Sequence, residues 1–590
     1  MTNEKLSLGP VLSFRGTGDK GEWKVSALIG YPADAQIPVF FVDGRECAAP
    51  SVLHRSGKQQ FLRYDLTCPM QEKERKVKFG FRDGPEWHFT VPALAQSPRI
   101  AYVSCNGFSN PSGMRKLVRP ANAAWMDLLS NHDREMRNAD YLLDKEQLWH
   151  EERIHDKNLQ RFHLLVMGGD QIYFDSVWEE LEPLKRWVGL SRDEQLSFKV
   201  SASLEKAIEA YYFDQYSKRW LPEKRRPWGT DKPNHDSADA MATIPTIMMW
   251  DDHDIFDGWG SYSCEMQHCP LFTVLFRHAR RAFWVFQMQH ALEDLAQLEE
   301  DPRPYVSKTD PIFQPIAWRE RLAGDPLALP MLDGQPGFSF VLRVGAVALT
   351  VADLRTERSR TQVLGPATWA ALHRWLATLT VASNEGAVRK CEHLLFLSSV
   401  PVIHPKLTLA EGLFDAFGQD HVTDSNADDL KDHWAHDDHE GERKRLLETL
   451  CKTATQCKAR VSIVSGDVHV AAWGISYRKD LPAKANWAQI QQFTASAVVH
   501  PSLGGLFERI FLQFLNSAAG KPQEIDVQHE VQMMLFPSHN RHVMAARNWL
   551  ALESDDRGNR EALWATWRCE TERGFSNHLV VVEPAHVEGG

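Results

Sequence analysis

A layered α/β fold behind an N-terminal antiparallel β-sandwich is the fold class this sequence predicts, on three observations. Up to about residue 95 the chain is made of short alternating runs, WKVSALIGYP, IPVFFVDG, QFLRYDLT, KVKFGFRDG and WHFTVP, separated by Gly, Pro and Asp-Gly turn signals. That period-2 pattern is the one strands with a single buried face adopt. Beyond it, unbroken apolar runs of strand length alternate with helical stretches, as buried strands between helices require. Four of these runs also end in residues able to hold a metal: RIAYVSC at Cys105, HLLVMGGDQIY at Asp170 and Tyr173, TIMMWDDHDIFDGWGSY at Asp251, Asp252 and His253, and ARVSIVSGDVH at Asp467 and His469. In layered sheets catalytic groups collect just past strand ends. Four such endings on one rim would make a di-metal pocket.

Taken in order, residues 1–95 are expected to form the β-sandwich domain and 96–510 the catalytic domain. The runs AVALTVADLR and HLLFLSSVPVIHP add two strands to the four above. A polar, helix-rich insertion containing SLEKAIEAYYFDQYSKRWL occupies 175–242 and ends in a basic, proline-containing loop with Lys224, Arg225 and Arg226. After WDDHD, Leu271, Leu275, Ala282 and Phe286 recur at roughly helical spacing, which predicts a long helix. Residues 511–590 are expected to be a C-terminal extension packed on the catalytic domain.

Composition narrows the class. With 43% hydrophobic and 25% charged residues the chain is an ordinary globular protein, and 590 residues suffice for two domains or one core with insertions. A net charge of −11 gives no reason to expect a basic nucleic-acid surface. The uncharged stretch around 493–507 contains His500, Pro501, Gly504 and Gly505 and is not a membrane span. The N-terminus lacks a basic region with an apolar core and lacks twin arginines. Nine cysteines with no CxxC pair argue against a disulfide framework. Cytoplasmic and reduced is the expectation. GxxxxGK[ST], HExxH and GxSxG are absent, and no GxGxxG links a strand to a helix, against P-loop, zincin, serine-hydrolase and dinucleotide readings.

The site residues each carry an alternative. Asp170 and Tyr173, three apart past a strand, face one point if the chain turns helically; a packed aromatic is the other reading of Tyr173. Cys105 is either a small buried hydrophobe or a thiolate that selects a transition metal. Asp251, Asp252 and His253 are costly in a core unless paired or coordinating, and Asp251 and Asp252 are expected to point to different sides, so that one of them is a ligand; a solvated loop with N-capping aspartates is the other reading. Asp467 and His469, two apart, face one way on an extended backbone; a capping aspartate with a core histidine is the other reading. Arg355 and Arg358 follow a strand, where an arginine is suited to a bidentate phosphate clamp; an ion pair with Asp353 or Glu357 is the alternative. The His- and Asp-rich segment 415–442, with His433, His436 and His439, reads as a solvated acidic segment or pocket lid, not a further metal site.

The ordered series VSCNG, GGDQIYFD, WDDHDIFDGWGSY, DLRTERS, GPATWAALHRWL and SGDVH, from about residue 96 to 500, resembles the PhoD-type alkaline phosphatase and phosphodiesterase family of the metallophosphoesterase superfamily. The resemblance implies a four-layer α/β/β/α core holding ferric iron beside calcium. It implies Cys105, Asp170 and Tyr173 as iron ligands, with Asp170 bridging, and Asp252 in place of the asparagine of the GNH motif. It implies Asp467 and His469 as late ligands, His253 beside the leaving oxygen, and Arg355 on the phosphoryl group. The chain departs from secreted members in lacking an export signal and in carrying the 175–242 insertion and the C-terminal region. Since calcium is scarce in cytoplasm, Mg2+, Mn2+ or Zn2+ fits the second position equally. The expected activity is hydrolysis of a small phosphomonoester or diester by a metal-activated hydroxide. A catalytically retired scaffold and a nuclease on the same core are the competing readings.

Overall fold

The computed structural model describes residues 6–108, 117, 119–138, 161–221, 237–296, 325–380, 386–405, 434, 436–481, 488–500, 506–555 and 560–585. The basic loop at 224–226 and most of the segment 415–442 lie outside these residues.

Two large sheets face each other. The first has eleven strands, running Gly574–Val582, Ala562–Thr571, Asn548–Asp555, Ile100–Val103, Leu164–Gly168, Thr246–Met249, Leu8–Thr17, Glu22–Pro32, Gln59–Asp65 and Ser51–Ser56, with Cys68–Pro69 paired beside Glu22–Pro32. The second has eight, running Phe340–Val351, Val388–Ser398, Arg460–Ser465, Ile490–Ala495, Ala471–Arg478, His529–Met533 and Gln523–Glu524, with Val543–Met544 beside Ala471–Arg478. At the centre of each sheet the strands are parallel. In the first, Ile100 pairs with Leu164 and Leu165 with Thr246. In the second, Val347 pairs with His393, His393 with Arg460 and Val461 with Ile490.

The apolar runs lack polar interruptions because both faces of these strands are covered. Along Val388–Ser398, Leu394 and Phe396 share a buried cluster with Leu446 and Leu450 of the helix Glu440–Cys457 and with Trp369 of the helix Pro366–Thr378. The intervening Leu395 and Leu397 join the other cluster, with Leu550 and Trp567 of the facing sheet. One strand thus serves two cores, by the period-2 rule. On the far side of the first sheet, Trp250 stacks on Phe283 of the helix Pro270–Phe286 at 4.6 Å. Asp127 of the helix Ala123–Asn138 accepts from Trp549 Nε1 at 3.0 Å. The expected four-layer α/β/β/α arrangement is therefore what the chain forms.

The N-terminal β-rich segment forms two facing sheets. A small sheet of Arg45–Glu46, Phe40–Val42, Arg75–Phe81 and Glu86–Val91 meets the end of the first large sheet, where Phe40 stacks on Tyr64 at 4.6 Å. One layer of this sandwich is continuous with the first large sheet, because Leu8–Thr17 pairs in parallel with Thr246–Met249 at Ser13 and Thr246. The segment 511–590 likewise supplies strands to both sheets. Such pairings join stretches far apart in sequence, so local patterning carries no trace of them. Among the described residues no helix is long and apolar enough to cross a membrane.

Trp567 stitches the two sheets: it is fully buried, packs edge-on against Phe493 at 5.5 Å and donates from Nε1 to the Thr494 carbonyl at 2.9 Å. Trp567→Ala is expected to cost about 3–5 kcal/mol in reversible denaturant unfolding. A loss below about 1 kcal/mol would show that the C-terminal strands are not integral to the core.

Candidate metal centre

Three of the parallel strands of the first sheet and four of the second end on a common rim. Past them stand Cys105, Asp170 and Asp251–Asp252–His253 from one sheet, and Arg355, Ser399, Asp467 and Ser496 from the other. The backbone there is unusual. Among the described residues ten non-glycine positions have positive φ, and four are Cys105 (54°), Asp170 (55°), Asp467 (69°) and His469 (53°). A left-handed conformation costs an L-residue on the order of 1 kcal/mol or more and persists where its surroundings enforce it. Clustering of that strain at four expected ligands points to function. Gly169, at φ 109°, lets the Asp170 turn cross the neighbouring loop, since a Cβ there would lie 2.8 Å from the Asp251 Cβ.

The turns converge on acidic groups. One carboxylate oxygen each from Asp170, Asp251, Asp252 and Asp467 lies within 4.8 Å of the others, and Asp170, Asp252 and a His253 nitrogen form a second such set. The expectation that Asp251 and Asp252 diverge is corrected by this geometry. Extended backbone stops at Asp251, and Asp252–Asp254 form a 3-10 turn that brings both side chains to one side. Cys105 and His469 stand beside these sets and not within them. The Cys105 thiol reaches Asp170 Oδ2 at 3.4 Å and Ser496 Oγ at 3.0 Å. His469 stacks on His500 with centroids 3.7 Å apart, and its N–H donates to Ser496 Oγ at 3.0 Å. Tyr173 stacks on His253 at 4.3 Å.

Arg355, expected on the phosphoryl group, lies fully buried beneath the carboxylates. Its Nε bonds Asp251 Oδ1, its Nη2 is 3.4 Å from Asp252 Oδ1, and its Nη1 donates to the Trp259 carbonyl at 3.1 Å. Ser399 Oγ also donates to Asp251 Oδ1, at 2.8 Å. Arg358 is buried against Gly260, where a Cβ would meet its Cγ.

Several site residues escaped the sequence reading. Asp254 accepts the backbone N–H groups of Gln171, Ile172 and Asp251 at 3.1, 2.9 and 3.0 Å, tying the two acidic turns together. Asp175 Oδ2 is 2.9 Å from His253 Nδ1, and Asp175 Oδ1 accepts from the Asp257 N–H at 2.8 Å. Both acids sat inside recognised motifs, but nothing local showed their partners. Ser399 and Ser496 carry the same signal as the acids, a polar residue immediately beyond a buried strand. His500 carried none.

Electrostatics at the site are those of an acidic cluster short of positive charge. Burial pushes the Asp170 carboxyl well up, and Cys105, Asp251 and Asp252 push it further against the pull of His253. Burial, then Cys105 and the nearby acids, raises the Tyr173 phenol well above its ordinary range. Burial also raises the Cys105 thiol. Burial, then His500 and His253, holds His469 well below the usual range and so neutral, the ligand form of imidazole. Asp170 Oδ1 and Tyr173 Oη are buried with no hydrogen-bond partner. A cation placed here would satisfy both atoms and reverse the upward shifts. The donor set of carboxylates, imidazole, phenol and thiol fits a transition metal at one position and a harder cation at the other.

The sequence profile of the family described as PhoD related phosphatase matches residues 129–308 and 408–522, half of the 590-residue chain. The chain belongs to that family. Within the matched stretches fall Asp170, Tyr173, Asp252, His253, Asp467 and His469; Cys105, Arg355 and Arg358 fall outside them. The uncharacterized protein YGR266W of Saccharomyces cerevisiae is 26% identical over 447 residues, which is 70% of this chain and 56% of that protein. The chain thus spans about half the length of this relative. Among solved structures, purple acid phosphatase PPD1 from yellow lupin (Lupinus luteus) seeds is similar with a TM-score of 0.45 at 11% identity, covering 97% of this chain and 73% of that one. Members of the PhoD related phosphatase family are metal-dependent phosphoesterases in general character, and the acidic cluster accords with that.

His253 supplies a test of this electrostatic description. Burial works to lower its pKa, but Asp175 first, then Asp252, Asp257 and Asp170, outweigh it and hold the imidazolium well above the ordinary range. In metal-free Asp175→Asn, the His253 ring titration followed by NMR is therefore expected to move to lower pH. An unmoved midpoint would show that Asp175 does not set the charge of His253.

Proposed function

We propose that this chain hydrolyses small phosphoesters, mono- or diesters, at a two-metal centre on the strand-end rim. The observation that carries the reading is the convergence of Asp170, Asp251, Asp252 and Asp467 within 4.8 Å of one another, with Asp170 and Asp467 held in left-handed backbone. Cys105, Asp170 and Tyr173 would hold ferric iron, with Asp170 shared. Asp252 would hold calcium, or magnesium, manganese or zinc, and Asp467 and His469 would add ligands to the pair. Bound there, a metal pair would neutralise phosphoryl charge and make water acidic enough to yield a nucleophile near neutral pH.

The chain's own groups do the rest. Asp175 accepts from His253 Nδ1, so the other ring nitrogen, Nε2, is left to carry a proton toward the departing alkoxide. The same carboxylates that keep His253 protonated make it an acid at the pH where the leaving group needs one. Arg355, buried with its nitrogens on Asp251, Asp252 and Trp259, holds the ligand Asp252 and its neighbour Asp251 in place; direct contact with phosphate is not what its surroundings favour. The buried floor of the pocket keeps these charges in a low-dielectric setting where they act strongly.

The reading is tested with purified protein on activated aryl phosphomonoesters and diesters, alongside Asp170→Asn and Asp252→Asn. Each substitution removes a ligand charge from the rim and is expected to lower kcat/KM by about a hundredfold or more, with secondary structure unchanged by circular dichroism. Full activity in either variant would sink the two-metal reading. Wild-type protein inert toward both ester classes would favour a retired scaffold.

A further inference from the structure

The helix Ala202–Arg219, at the centre of the inserted segment, is not needed to complete the layers, yet it touches both acidic turns. Its buried face presents Leu204, Ile208, Tyr211, Tyr212, Gln215 and Tyr216 at helical spacing. Two of the three tyrosine hydroxyls bond the loops of the metal centre directly, and the third reaches them through one side chain. Tyr211 Oη donates to the Phe174 carbonyl at 2.8 Å, on the turn that begins at Asp170. Tyr212 Oη donates to the Ile255 carbonyl at 2.7 Å, on the turn that carries Asp251, Asp252 and His253. Tyr216 Oη accepts from Gln287 Nε2 at 3.0 Å, and that amide also reaches Asp254 Oδ1 at 3.2 Å. Asp254 is the carboxylate that binds the N–H groups of Gln171, Ile172 and Asp251.

The rings add a second contact. Phe174 packs against Tyr211, Tyr212 and Tyr216 with centroids 6.0, 4.5 and 5.8 Å away. The helix is itself anchored to the catalytic core: Arg277 pairs with Glu205 at 2.7 Å and Arg281 with Glu209 at 3.3 Å, both from the helix Pro270–Phe286. A stability role alone would need only the apolar rings, since phenylalanine packs as well. Two hydroxyls on the backbone carbonyls of the turns, and a third joined through Gln287 to the acid that ties the turns together, specify the geometry of those turns.

From this we infer that the inserted helix is a positioning element of the metal centre, with Tyr211, Tyr212 and Tyr216 as positioning residues that fix the Asp170 and Asp251–His253 turns at ligating distance. The inference rests on the metal-centre reading above. Partners one layer behind a ligand hold its orientation, and their loss weakens metal binding or activity by about 10–100-fold.

The test uses full-length, metal-loaded protein and the triple variant Tyr211→Phe/Tyr212→Phe/Tyr216→Phe, with the single Tyr212→Phe beside it in case the triple folds poorly. Two quantities are read: the rate at which excess EDTA strips the metal, and amide hydrogen exchange over residues 171–175 and 251–256. Metal release is expected to be about tenfold faster or more in the triple variant, with a smaller rise in Tyr212→Phe and faster exchange confined to the two turns. Release and exchange equal to wild type would overturn the inference, even with a lowered Tm, because the tyrosines would then be packing groups only. Wild-type protein that carries no metal would overturn the underlying reading, and this inference with it.

Discussion

Four carboxylates within 4.8 Å of one another, three of them buried and that of Asp467 half-buried, are the constraint on which the rest of this structure depends. At an effective dielectric near 20, each like-charged pair at that separation costs about 3 kcal/mol. Arg355 and a protonated His253 bring two positive charges to four carboxylates, so repulsion remains unless protons or cations enter. Protonation is the response of the metal-free site, visible in the raised carboxyl of Asp170. A bound cation pair is the response that suits the donor set and the unpaired Asp170 Oδ1 and Tyr173 Oη.

Holding such a cluster together takes more than the strands that deliver it. The two sheets fix where the turns begin. Asp254 ties one acidic turn to the other, Ser399 and Arg355 steer Asp251, and Ser496 joins Cys105 to the His469 N–H. These contacts are of ordinary strength singly, about 1 kcal/mol each. Together they offset the left-handed backbone at Cys105, Asp170, Asp467 and His469. The strain and its supports occupy the same few residues, as expected where geometry serves chemistry and not stability.

Much of this was legible in the chain. Fully buried strands read as unbroken apolar runs, so the strands ending at Val103, Gly168, Met249 and Ser465 stood out, and the acids beyond them did too. Asp251 was misplaced because alternation was carried one residue past the point where the chain turns. Arg355 looked like a phosphate clamp because a strand-end arginine has that chemistry; its burial under Asp251 depends on the facing sheet. The join of Leu8–Thr17 to Thr246–Met249 and the stacking of His500 on His469 arise only once distant segments meet. Asp175 and the tyrosines of the inserted helix were visible as residues but not as partners. Helical periodicity shows which face of Ala202–Arg219 is buried, not what that face touches.

The central claim is that the rim is built around cations. It is tested most directly by thermal unfolding of the full-length protein before and after chelator stripping, and again after manganese or ferrous iron is restored in excess. A ligand held at a hundred times its Kd adds about 2.7 kcal/mol to the folded state. Stripping is therefore expected to lower Tm by several degrees, about 2–4 °C per kcal/mol for domains of 150–250 residues and less for a larger unit, and restoration should return it. A Tm indifferent to both steps, in protein that carries no metal as purified, would contradict the account.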